Sequence, residues 1–224
     1  VSDLTATGTS ILWYSASSGG SSLASTTSLS DATHYYATQT VSGCESTTRF
    51  DVTATVNTTP TISGTTVGSR CGTGSVSLGA TASAGTVNWY TVSSGGSSTA
   101  TGTTYTTPSI STNTSYYVDA TNNGCTTTSR TSILATINSI PSAPTGTSAQ
   151  SFCSASSPKV SDLTATGTSI QWYDASSNGS LLSSSTSLAT ATHYYATQTV
   201  SGCESTSRFD VTATVNTTPT ISGT

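Results

Sequence analysis

The chain has 224 residues, of which only 6% are charged, and five Lys plus Arg stand against nine Asp plus Glu for a formal net charge of -4. A weakly acidic surface whose single lysine is Lys159 gives a phosphate backbone almost nothing to bind, which excludes nucleic acid as a partner. There is no run of about 18 apolar residues to insert in a membrane as a helix. Ser and Thr make up roughly two residues in five, yet the low net charge and regularly placed Trp, Tyr, Val and Ile argue against a disordered stalk.

The sequence is repetitive. Val1 to Thr65 recurs without a gap as Val160 to Thr224, and the offset is constant, since 172 - 13, 203 - 44 and 219 - 60 all equal 159 for the Trp, Cys and Pro pairs. Between the copies, Val87-Asn88-Trp89-Tyr90 answers to Ile11-Leu12-Trp13-Tyr14, and Tyr116-Tyr117 answers to Tyr35-Tyr36. A period this long means an array of similar units. The reading is a type A unit at 1–59 entered part-way, a type B unit at 60–141, a second type A unit at 142–219, and the start of another at 220–224. Each has the size of a small domain. With no Met, an opening inside one unit and a close just inside another, the chain is expected to be a segment of a longer protein.

Along the chain, alternation of apolar with small polar residues dominates and no helical period competes with it. In the first unit, Gln171 replaces Leu12 in the second copy, which places Leu12 outward and Ile11 and Trp13 inward. By the same alternation Phe50, Val52, Ala54 and Val56 face the core, and Arg49, Asp51, Thr53 and Thr55 face solvent. The B unit predicts strands at 61–67, 75–81 and 86–91, a Gly turn at 93–96, short runs near 97–100 and 103–106, then strands at 115–121 and 129–137 around the turn Asn122-Asn123-Gly124. Tyr116, Val118 and Ala120 are placed inward there, with Asp119 and Thr121 on the wet face. Trp13, Trp89, Trp172, Tyr35, Tyr116 and Tyr194 are the expected core anchors. About seven short strands per unit predict an all-β fold of tandem immunoglobulin-like β-sandwiches. Proline-containing joints at Pro60 and at Pro141 and Pro144 are short and stiff, so the units are expected to form an extended rod.

The five cysteines sort by unit: Cys71 and Cys125 in B, Cys153 and Cys203 in the second A, and Cys44 alone in the first A, where the partner position falls before residue 1. Two bridges within units, Cys71–Cys125 and Cys153–Cys203, with Cys44 unpaired by truncation, form the economical account, and imply an oxidising, exported setting. Zinc is the competing reading, and it lacks a close CxxC or Cys/His cluster.

Candidate chemistry is sparse. His34 and His193 sit at equivalent positions beside Tyr pairs, without the nucleophile and orienting partner a catalytic base requires. Asp3, Asp31, Glu45 and Asp51 are scattered singly, without the acidic-loop spacing of a calcium site, so no cofactor is expected beyond incidental surface Ca²⁺. Tyr14, Tyr90 and Tyr173 follow the core Trp and are expected outward, near the exposed Tyr36, Tyr117 and Tyr195. Together they form a possible glycan-contact surface. The alternative reading of the same residues is cross-strand Tyr–Thr packing.

The pattern from Cys71 to Cys125, CGTGSVSL through VNWY and SGG to YTTPSI, TSYYV and ATNNGC, resembles the Ig-like repeats of very large Bacteroidetes surface adhesins. The A units, with Trp13-Tyr14 and His34-Tyr35-Tyr36 to Cys44, are similar to the same family. The resemblance implies a non-enzymatic spacer and adhesive segment, export by the type IX secretion system, and display on the outer cell surface. It also implies gliding motility or attachment, with external surfaces or polysaccharides as partners and secretion and motility machinery engaged through other parts. Such repeats also accompany secreted glycan-degrading proteins, which makes a carbohydrate-binding array the alternative. A Thr-rich ice-binding surface fits poorly, because pieces such as Thr53-Ala54-Thr55 lack the short period of a solenoid. One departure stands out: the second cysteine follows Gly43, Gly124 or Gly202, so a bridge is expected to pin an N-terminal strand to that hairpin.

Overall fold

The computed structural model describes residues 1–221. The first repeat contributes β1 (Leu12–Tyr14), β2 (Thr33–Thr38), β3 (Thr40–Val41), β4 (Cys44–Glu45) and β5 (Phe50–Ala54). The middle repeat contributes β6 (Ile62–Thr66), β7 (Gly68–Cys71), β8 (Ser77–Ala82), β9 (Thr86–Tyr90), β10 (Ala100–Thr101), β11 (Thr104–Thr106), β12 (Thr114–Asn122), β13 (Cys125–Thr126) and β14 (Thr131–Asn138). The last contributes β15 (Ala149–Cys153), β16 (Gln171–Tyr173), β17 (Thr192–Thr197), β18 (Thr199–Val200), β19 (Cys203–Glu204) and β20 (Phe209–Asn216), with two 3-10 turns at Ser154–Ser156 and Val160–Asp162. The fold is that of tandem Ig-like β-sandwiches.

The chain forms two compact units, and their boundary runs through the middle repeat. Unit 1 comprises Val1–Thr65, Ala80–Thr103 and Tyr117–Ser132. In it β2 lies between β1 and β5 in an antiparallel sheet, with Trp13 opposite Ala37 and Tyr35 opposite Val52. β9 pairs with β10 and β12, setting Trp89 opposite Ala100 and Val118. Trp89 is fully buried and its indole N–H donates to the Gly102 carbonyl at 2.8 Å. That satisfies the one polar atom of a ring whose apolar burial contributes on the order of 3 kcal/mol.

Unit 2 comprises Thr66–Gly79, Thr104–Tyr116 and the chain from Ile133 onward. Here β7 runs parallel to β14, with Cys71 level with Asn138. β15 runs parallel to β20 in the same way, with Cys153 level with Asn216. A strand order β15-β20-β17-β16 completes the sheet of the last repeat. Its core gathers Val160, Leu163, Trp172, Leu188, Tyr194 and Val211.

Each repeat carries a two-residue hairpin just before its last strand. Ser42-Gly43, Asn123-Gly124 and Ser201-Gly202 all have positive φ at both positions, between 47° and 82°. That is the turn whose twist matches antiparallel strands, and it demands Gly where a Cβ would strain.

The two A copies differ in how far their last strand is covered. In the last repeat Val211 and Ala213 are fully buried beside β15. In the first repeat, where the sheet has three strands, Phe50 is 64% exposed and Val56 is exposed too, against the inward placement expected of both. Their parity along the strand is right, since Ala54 is buried, but residues 1–11 lay no strand beside β5. Trp13 is half-buried, packing on a small cluster of Val1, Tyr35 and Ala54, whereas Trp172 is buried. Leu12 is exposed, as the Leu-to-Gln exchange indicates, and Tyr35, Tyr116 and Tyr194 are buried.

Candidate functional site

One constellation recurs in all three repeats: a tyrosine after the core Trp, an arginine lying across its ring, and a carboxylate at its hydroxyl. Tyr14 donates to Glu45 Oε1 at 2.7 Å, and the Arg49 guanidinium carbon stands 3.5 Å from the ring centre. Tyr90 donates to Asp119 Oδ1 at 3.3 Å under Arg130 at 3.2 Å. Tyr173 donates to Glu204 Oε1 at 2.8 Å under Arg208 at 3.7 Å. Each arginine also donates to carbonyls of the loop that follows the tyrosine: Arg49 to Ala16, Arg130 to Val92 and Gly95, Arg208 to Ala175. A delocalised, planar cation can stack on a ring and still aim its fork edgewise, which a lysine cannot do.

The acid changes place between repeat types. In the A repeats it is Glu45 or Glu204, on the hairpin strand, opposite Thr40 or Thr199. In the middle repeat the equivalent hairpin position is Thr126, and the carboxylate moves to Asp119 on β12, where the A repeats have Thr38 and Thr197. Threonine and acid thus exchange positions while the negative charge stays beneath the arginine. Asp119 is nearly buried, against its expected place on the wet face, because Arg130 Nε covers it at 3.2 Å and Asn88 donates to it at 2.9 Å.

The local electrostatics follow. Its hydrogen bond to Glu45 raises the Tyr14 hydroxyl above the usual tyrosine range. Burial, and then the neighbouring Asp119, raises Tyr90. Burial followed by the Glu204 bond raises Tyr173. Hydrogen bonds from Thr197 and then Tyr173 hold the Glu204 carboxyl below the usual carboxylate range. All three phenols stay neutral donors, and the constellation fastens a loop to a sheet.

This arrangement corrects the expected outward tyrosines. Tyr14 is buried, Tyr90 and Tyr173 are half-buried, and a guanidinium occupies one face of each ring. Tyr36, Tyr117 and Tyr195 are half-buried as well. The arginines are what the sequence reading missed. Of five basic residues, Arg49, Arg130 and Arg208 stand at equivalent positions just before the last strand.

The histidines do find carboxylates. His34 Nδ1 lies 2.8 Å from Asp51 Oδ1, and His193 Nδ1 lies 2.8 Å from Asp210 Oδ1, both pairs about half exposed. Thr53 and Thr212 hydroxyls approach the same ring nitrogen at 3.5 Å. A relay needs the orienting acid and the nucleophile on opposite ring nitrogens, so these are surface pairs. Among the described residues no group of three or more His, Cys, Asp or Glu could hold a metal ion, and no helix is long and apolar enough to cross a membrane.

The cysteines depart most from expectation. Cys71 is bonded to Cys203, 132 residues later and in the next repeat, with Cα atoms 5.6 Å apart. Cys44, Cys125 and Cys153 are free, so the expected pairs Cys71–Cys125 and Cys153–Cys203 are not formed. The layout of the last repeat supplies the reason. Cys153 is level with Asn216, the last residue of β20, while Cys203 precedes that strand at its Phe209 end. An eight-residue strand separates them by roughly 23 Å, far beyond the reach of a disulfide. Cys71 instead stands level with Asn138, where the middle repeat ends, and the hairpin of the following repeat meets it there through Asn138 Nδ2 donating to the Ser201 carbonyl at 3.3 Å.

The family model described as "Ig-like domain CHU_C associated" matches residues 2–57, 58–138 and 141–217. No curated protein matches the chain. Among solved structures it is similar to Drosophila OTK extracellular domains 3-5, at 15% identity over 83% of this chain and 71% of that one, TM-score 0.33. It is also similar to Sidekick-1 immunoglobulin domains 1-5, at 16% identity over 92% of this chain, TM-score 0.35, and spans 54% of that chain.

Proposed function

Since the chain belongs, through all three of its repeats, to the CHU_C-associated Ig-like family, we propose that it is a non-enzymatic spacer and contact segment of a large exported surface adhesin serving attachment or gliding. The observation that carries this reading is the tandem of Ig-like repeats with a disulfide running from one repeat to the next. A disulfide persists in an oxidising, extracytoplasmic setting. Mechanically, a pull along the chain passes directly from Cys71 to Cys203, so the 131 residues between them (203 - 71 - 1) carry no tension. The arginine brackets serve the same end by fastening the loop after each Trp-Tyr strand to its sheet.

Single-molecule pulling tests the mechanical part. The oxidised segment should show a contour length shorter by the 131 enclosed residues than the reduced segment, and equal lengths would contradict it. Protease shaving of intact cells of the source organism, followed by reduction of disulfides, should release peptides of the repeats; repeats left uncut until lysis would contradict surface display.

A carbohydrate-binding array is the second reading. It is favoured by the stacked pairs His34–Tyr36 and His193–Tyr195, with ring centres 6.5 and 6.2 Å apart on exposed strand faces. A polysaccharide array probed with the segment should be blank. Binding that Tyr36→Ala together with Tyr195→Ala abolishes would establish the second reading instead.

A further inference from the structure

We propose that Cys71–Cys203 is one rung of a repeating ladder, in which the N-terminal-strand cysteine of every repeat is bonded to the hairpin cysteine of the repeat that follows it. Cys44, Cys125 and Cys153 are then half-rungs, built to receive a cysteine from a flanking repeat of the same kind. This assignment rests on the geometry of the joints, and stands or falls independently of what the surface protein adheres to.

Two joints are visible and they are built alike. At one, Asn138 Nδ2 donates to the carbonyl of Ser201, the residue before Gly202-Cys203, and Cys71 stands level with Asn138 and is bonded to Cys203. At the other, Asn57 Nδ2 donates at 3.1 Å to the carbonyl of Asn123, the residue before Gly124-Cys125. Asn57 occupies in the first repeat the position of Asn138 in the middle one. The Cys125 thiol there donates to the Asn57 carbonyl at 3.7 Å, so it already lies where a cysteine level with Asn57 would be.

The strand that would bring such a cysteine is present in the other A repeat. β15 pairs in parallel with β20 and places Cys153 level with Asn216, the counterpart of Asn57. Ahead of it, Thr145 exchanges backbone hydrogen bonds with Thr166, and a Cβ placed on Gly146 would come into contact with Phe209 and Ala165. In the first repeat the equivalent place is an open groove of about 760 Å³, lined by Ala6, Thr7, Gln39 and Phe50 among others. Gln39 corresponds to Gln198, which donates to the Ser142 carbonyl at 2.9 Å. The groove therefore fits a segment with the sequence of residues 142–153, and the edge of β5, with the three residues after it, leads on to Asn57.

The chemistry is ordinary thiol–disulfide exchange. Two cysteine thiols lose two protons and two electrons to an external disulfide of the glutathione class, one S–S bond forms, and two external thiols are released. Because Cys153 precedes Cys203 by 50 residues (203 - 153), successive loops overlap, and each residue of an array built this way lies inside a covalent loop. A single proteolytic cut would then release no fragment.

The test extends the full chain at either end. Residues 142–159 are grafted ahead of Val1, which continues the 159-residue register, and the protein is folded in a glutathione redox buffer. The grafted cysteine should bridge to Cys125, so that the count of alkylatable thiols falls from three to two and a cross-linked peptide containing Cys125 appears. A count of four with Cys71–Cys203 intact would overturn the ladder. A graft carrying Ala in place of its cysteine should leave Cys125 reactive. Independently, a copy of residues 66–141 appended after Thr224 should bond its copy of Cys125 to Cys153. Cys153 remaining alkylatable in that folded, longer chain would equally overturn the proposal.

Discussion

The bond between Cys71 and Cys203 should hold the last repeat together far more than it holds the first. Consider unfolding the last repeat while the middle one stays folded. Cys71 is then anchored level with Asn138, so the loop closed through the unfolding chain runs from 138 to 203, or 65 residues. In the chain-entropy model a loop of that size contributes about 4 kcal/mol. For a domain of this size each kcal/mol corresponds to about 4–8 °C in Tm, so the double variant Cys71→Ala, Cys203→Ala should unfold its last repeat on the order of 20 °C lower. Alanine is chosen because the Cys203 side chain is fully buried, and serine would add an unpaired hydroxyl. Calorimetry of oxidised wild type, reduced wild type and the double variant reads the shift. The first repeat, whose Cys44 is free, serves as the internal control and should not move. A shift below about 3 °C, or an equal shift in both A repeats, would refute the reasoning.

Three further outcomes follow from the same geometry. Arg130→Ala removes the cover from a nearly buried Asp119 along with two loop-carbonyl bonds, and should cost about 3 kcal/mol in denaturant unfolding; Arg130→Lys, which keeps the charge without the fork, should recover less than half of that. Trp89→Ala should cost about 3–5 kcal/mol, whereas Leu12→Ala, at a 40% exposed position, should stay within about 0.5 kcal/mol. The Glu204 carboxyl is held below its usual range by Thr197 and Tyr173, so its contribution is fully present above the unfolded carboxylate value and is lost as pH falls through the lower folded value. Melting of the last repeat from pH 6 downward should therefore decline less steeply in Glu204→Gln than in wild type; identical slopes would remove Glu204 from the account.

Strand parity was legible in the residues wherever two copies could be compared. One exchange, Leu12 for Gln171, marks the solvent-facing position of β1 and β16. The first member of each Tyr-Tyr pair is buried as expected, whereas the second, expected exposed, is half-buried. What alternation could not supply is coverage. Phe50 and Val56 have the inward parity of Phe209 and Val215, but burial requires a strand alongside, and β15 provides it only in the last repeat. Tyr14 has outward parity and is nonetheless buried, because Arg49 arrives from 35 residues further on (49 - 14) and lies across it. The same rule misplaces Asp119, whose charge belongs under water or under a guanidinium, and finds the latter. The cysteines misled for another reason. Sorting them by repeat assumes that a bridge closes where its two halves are nearest in sequence. In a parallel first-and-last strand pair the N-terminal cysteine is carried to the exit end of its own repeat, where the nearest hairpin is that of the next. The recurring Asn57, Asn138 and Asn216 at the strand ends marked that meeting point in the sequence, as did the arginines for the bracket.

Peptide mapping without reductant, after alkylation of free thiols in the native segment, tests the central claim most directly. It should yield one cross-linked pair, Cys71 with Cys203, and alkylated Cys44, Cys125 and Cys153. Cys71 linked to Cys125 together with Cys153 linked to Cys203 would contradict a chain whose repeats are bonded to one another.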